Sequence, residues 1–69
     1  MNPQSEAFRV GEQVTLVQPY GGLGIGSVGT ITRIYHTRPP CYHVRFEHID
    51  VTVLVPTEYL ARVRMYGSM

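Results

Sequence analysis

The 69-residue sequence has no lysine and no tryptophan, one cysteine, and few charges of either sign. Each scarcity excludes something. A single thiol, Cys41, forbids a disulfide within the chain and fits a reducing, cytoplasmic setting. Apolar runs fall well short of the roughly 20 residues a membrane helix needs, so no membrane partner is expected. Charged residues are 16% of the chain and the net charge is +1, which is too weak a field to imply nucleic acid by itself. So sparse a charge also leaves little to oppose self-association. All six basic residues are arginine, the side chain suited to planar, bidentate and stacked contacts. A chain this short buries only roughly 60% of its unfolded surface, so one domain of marginal stability is expected.

The apolar positions recur with the period of a strand. Gln13 to Val17 alternates cleanly, with Val14 and Leu16 on one face. It is followed by a loop, Gly21 to Gly29, holding five glycines. Val28 to Tyr35 reads as a second strand. Its inward set moves from Ile31 to Ile34, a spacing of three that a β-bulge would explain. Cys41 to Phe46 is the plainest strand, with Tyr42, Val44 and Phe46 opposite Cys41, His43 and Arg45. Val51 to Val55 is a fourth strand. Pro56 to Leu60 has room for one 3₁₀ turn, and Ala61 to Val63 for a short closing strand. Residues 1–7 read as a flexible lead-in without the pattern of a signal peptide, and 64–69 as a frayed tail. The prediction is an all-β domain over 8–63, a small five-stranded barrel with one 3₁₀ turn before its last strand.

The runs Val10-Gly11-Glu12-Gln13-Val14, Gly26-Ser27-Val28-Gly29-Thr30-Ile31, Tyr42-His43-Val44-Arg45-Phe46 and Val55-Pro56-Thr57-Glu58-Tyr59-Leu60 resemble the Src-homology-3-like superfold. Relatives of that kind include KOW-type domains, a small barrel protein of photosystem I, the variable chain of ferredoxin–thioredoxin reductase, and type II dihydrofolate reductases. The resemblance spans about Phe8 to Val63 and implies a closed barrel; it implies no chemistry, since function on such folds lives in grafted sites. The reductases line a four-copy pore with a Val-Gln-Ile-Tyr-Pro segment. Here the matching stretch is Thr52-Val53-Leu54-Val55-Pro56, and valines replace both polar residues, so that activity is not expected. A strand placed as in that family would turn Val53 and Val55 outward, ready for a dry contact between subunits. Alternation alone leaves the opposite facing open.

Three side-chain groups bear on function. Gly24-Ile25-Gly26-Ser27-Val28-Gly29 matches the GxGxxG dinucleotide pattern, but that motif needs a helix to follow and a strand follows here. Tyr20, Leu23 and Ile25 are instead read as an apolar loop surface with no evident core role, and with Val53 and Val55 they form the candidate partner-binding set. Arg33, Tyr35, Arg38, His43 and Arg45 interleave cations with aromatics, a combination that holds nucleic acid, although Glu47, Asp50 and Glu58 dilute the field. Cys41 and His43 share a face, but one such pair is too little for zinc, so no metal and no cofactor is expected. No catalytic set is visible. The leading expectation is a non-enzymatic binding or accessory module that self-associates as a homo-oligomer and docks on a protein partner. The alternatives are a KOW-like nucleic-acid-binding domain, and a small oligomeric enzyme whose site forms between subunits.

Overall fold

A computed structural model describes residues 8–63; the expected lead-in and tail lie outside the described residues. Five strands run as β1 (Gln13–Leu16), β2 (Val28–Tyr35), β3 (Cys41–Phe46), β4 (Val51–Pro56) and β5 (Leu60–Arg62), with a 3₁₀ turn (Thr57–Tyr59) between β4 and β5. They form one antiparallel sheet in the order β4-β3-β2-β1-β5. The all-β class, the five strands and the 3₁₀ turn are as the residue pattern predicts.

The bulge predicted from the Ile31–Ile34 spacing is present. Ile31 pairs with Val44 and Arg33 with His43, so Thr32 is the extra residue. Its hydroxyl donates across to the His43 carbonyl at 3.4 Å. Beyond the bulge Ile34 pairs with Tyr42 and packs against the core.

The core consists of the hydrophobic residues Phe8, Val14, Leu16, Ile31, Tyr42, Val44, Phe46, Val55 and Leu60, with the Tyr42 hydroxyl as its one polar side-chain group. Phe8 meets Tyr42 edge to face at 5.4 Å. The Arg62 guanidinium lies over the Phe8 ring, 5.2 Å from its centre, and binds Glu12. Burial works against ionisation of Glu12. The Arg62 hydrogen bond, the Arg9 amide and the positive charge of both arginines outweigh it, holding the carboxyl below its usual range.

The sheet is not closed by hydrogen bonds, in contrast to the expected closed barrel. β4 runs through Pro56 directly into the 3₁₀ turn, and β5 has three residues, all paired with β1. The gap is bridged by other means. The Thr57 amide donates to the Pro40 carbonyl at 3.1 Å, and the Val17 amide to the Tyr59 carbonyl at 2.9 Å. The 3₁₀ turn therefore ties the β2–β3 connection to the segment after β1.

Gly29 is the tightest point of this packing. A β-carbon there would lie 2.6 Å from Val44 Cγ1, 2.8 Å from the Arg45 carbonyl oxygen and 3.1 Å from Phe46 Cδ1. Replacing a strand glycine with alanine gains about 0.5–1 kcal/mol from backbone entropy. Overpacking against a fixed carbonyl costs about 1–3 kcal/mol and outweighs it. Gly29→Ala is expected to lower the urea midpoint by a net loss of about 1–2 kcal/mol, whereas Gly24→Ala, which faces open space, leaves it unchanged or raises it. Equal midpoints for the two variants would contradict this packing.

Candidate functional site

The loop from Val17 to Ser27 is compact. Tyr20 and Leu23 exchange backbone hydrogen bonds at 3.0 and 2.9 Å across Gly21 and Gly22, both at positive φ, which is the geometry of a two-residue hairpin. The next turn places Ile25 and Gly26 at its corners. Gly26 has φ +92°, and Ser27 bonds back to the Gly24 carbonyl through both its amide and its hydroxyl. The dinucleotide-like glycines thus serve two purposes unrelated to phosphate. Gly26 makes a turn and Gly29 a close strand contact, and β2 follows where a phosphate site would need a helix.

This folding corrects the reading of the loop surface. Leu23 packs against the core and Tyr20 does the same, its ring 4.7 Å from that of Tyr59. Ile25, at a turn corner, is the member that stays outside, 68% exposed. Strand facing is corrected as well. Val55 pairs with Tyr42 and Val53 with Val44, so both take the inward face of β3. Val55 is 0% exposed and Val53 is half-buried against the core. They are unavailable as an outward contact pair. The outward residue between them is Leu54, 46% exposed, which the alternation left open.

A different face is assembled across β2, β3 and β4. The pairs Arg33–His43, Tyr35–Cys41 and His43–Leu54 set these side chains on the outward side of the sheet. The Arg33 guanidinium lies over the Tyr35 ring, 5.4 Å from its centre. The Tyr35 ring meets the His43 ring edge-on at 5.1 Å, and its hydroxyl lies 3.3 Å from His43 Nδ1, a hydrogen bond whose donor depends on the histidine tautomer. Arg38 lies in the connection that follows Tyr35. Arg45 is on the same outward side but is engaged by Asp50 at 2.5 Å. Of the five basic-face candidates, Arg33, Tyr35 and His43 are thus in one contact group, Arg45 is neutralised beside it, and Arg38 stands in the adjoining turn.

The carboxylates that diluted the field in the sequence are partly spoken for. Asp50 holds Arg45 and Glu47 accepts from Thr30 Oγ1 at 3.2 Å, while Glu58 is exposed in the 3₁₀ turn and makes no ion pair among the described residues. Among the described residues no ion pair involves Arg33 or Arg38. Cys41 lies 3.6 Å from the Thr37 hydroxyl, and among the described residues no three metal-ligating side chains come together. No helix among them is long and apolar enough to cross a membrane. Leu54 was left undecided by the alternation, and Thr32 was implied by the predicted bulge without being named. The signal for both was register, the bulge for Thr32 and the partner His43 for Leu54.

The arrangement defines a small antiparallel β domain with an outward cation–aromatic face. Set beside protein-family models, curated proteins and solved structures, the chain has no match in any of the three.

The facing of β4 is directly testable. Val55→Ala removes two buried methyl-sized groups and is expected to cost about 2 kcal/mol with its cavity. Leu54→Ser is expected to cost about 0.5 kcal/mol. Urea unfolding of both variants checks the order; a larger loss at Leu54 would reverse the assigned faces.

Proposed function

We propose that this chain is a non-enzymatic binding module on a Src-homology-3-like scaffold, and that it holds nucleic acid on the outward face of β2 and β3. The strand order, with a 3₁₀ turn between β4 and β5, supports the scaffold reading. The observation that carries the function is the group Arg33–Tyr35–His43: a guanidinium that makes no ion pair among the described residues, lying over an aromatic ring that is itself held by an imidazole. A cation steadied on a ring loses less freedom when it meets a phosphate, and the half-buried planar groups beside it, Tyr35 and His43, are of the kind that suits bases. Arg38, which also makes no ion pair among the described residues, adds a second cation one turn away. Arg45 contributes less, because Asp50 already satisfies its charge.

Binding of this kind weakens with salt, because each phosphate contact releases a counterion. With Arg33 and Arg38 each meeting one phosphate, a labelled single-stranded oligonucleotide followed by fluorescence anisotropy should give a log–log salt slope of about −1.4. Arg33→Ala should bring it to about −0.7 and weaken binding about tenfold at low salt. Absence of binding at low salt, or an unchanged slope in the variant, refutes the reading.

A second reading, self-association with docking on a protein partner, draws support from the β4 edge. This six-residue strand ends the sheet, with one side unpaired among the described residues, carries no charge, and begins at the half-exposed Val51. Uncharged edge strands of this length pair readily with strands of other chains. The opposite edge, β5, is short and carries Arg62. Sedimentation of the free protein over a wide concentration range should then reveal a concentration-dependent dimer; a monomer throughout removes self-association.

A further inference from the structure

We infer that the outward face takes single-stranded rather than double-stranded nucleic acid, with an unstacked base lying across Leu54 and His43. The inference rests on the nucleic-acid reading above and names the form of the ligand at that same face. Leu54 and His43 are directly opposed in the β3–β4 register, on the side that also presents Arg33 and Tyr35. Directly opposed side chains on one face lie about 4.5–5.5 Å apart at their β-carbons, so the two make a continuous strip. Leu54 is among the larger apolar side chains left exposed, and the core does not need its outward half. A phosphate has no use for a leucine; the face of a base does.

Charge points the same way. A duplex presents its phosphates outward and its base edges inside grooves. Tight binding to it draws on about 6–10 phosphate contacts, and reading it draws on an element that enters a groove. A strand pair can enter a groove as a helix does, but the two arginines of this face, which make no ion pair among the described residues, supply few phosphate contacts. On a single strand the missing electrostatic attraction is replaced by stacking, which is worth about tenfold or more for each base held. Every base has such a face, so the site should tolerate any sequence.

The experiment compares one labelled oligonucleotide of mixed sequence, alone and annealed to its complement, by anisotropy at low salt. The single strand is expected to bind at least about tenfold tighter than the duplex. Leu54→Ser should weaken the single strand several-fold, by loss of apolar contact, without altering the salt slope, while Leu54→Phe, which offers an aromatic face for stacking, should bind at least as well as the parent. Urea unfolding of both variants confirms that they are folded. If single strand and duplex bind equally, or if Leu54→Ser leaves single-strand affinity unchanged, this inference is overturned and the nucleic-acid reading stands. If neither form binds, or if a polyglutamate peptide binds as tightly as the oligonucleotide, both are overturned.

Discussion

The pairing of β3 with a neighbour on each side is the constraint from which the rest of the domain follows. β3 alternates without interruption, and its inward side chains, Tyr42, Val44 and Phe46, are all buried. Once they are fixed in the core, register carries the assignment outward. Val55 and Val53 must turn inward opposite Tyr42 and Val44, Leu54 must turn outward opposite His43, and Gly29 must be glycine because it meets Val44 and Phe46. A one-residue slip of β4 would turn Val53 and Val55 outward and bring Thr52 and Leu54 onto the inward face, with Leu54 opposite Tyr42 or Val44. The core, in which no charged residue is buried among the described residues, penalises that slip strongly.

So small a core needs its open edge covered, and the covering comes from side chains in place of a ladder. Tyr20 and Tyr59 pack together, Leu23 and Val53 pack against the same core, and the 3₁₀ turn is bonded on both sides. A loop rich in glycine therefore also carries large apolar groups. Gly21 and Gly22 form the hairpin that folds Tyr20 and Leu23 back onto the domain, and the side chains do the sealing. Ile25 takes no part, because its turn leaves it in solvent.

Most of the architecture could be read from local pattern, since strand period and turn residues are local properties. The limits of β2 and β3, and the bulge, follow from alternation and its one break. What escaped was every assignment that depends on a partner distant in sequence. Val53 and Val55 read equally well facing in or out until β3 fixed them. Leu23 looked idle because its contacts lie across the open edge of the sheet. The face formed by Arg33, Tyr35 and His43 was legible as a set of residue types, but its cohesion was not: the ring–imidazole bond and the engagement of Arg45 by Asp50 depend on pairing and on the shape of the 47–50 turn.

The bulge at Thr32 is what creates that face. Strict alternation from the buried Ile31 would send Arg33 and Tyr35 inward and Ile34 outward. Two outcomes would follow, a charged guanidinium in an apolar core and an isoleucine in water, and the first is the costlier. One extra residue reverses both. Ile34 returns to the core, Arg33 comes to rest opposite His43, and Tyr35 reaches the same imidazole with its hydroxyl. The Thr32 hydroxyl supplies a bond across the interruption. The irregularity that lets a short sheet bend is therefore also the device that gathers a cation, an aromatic ring and an imidazole on one surface.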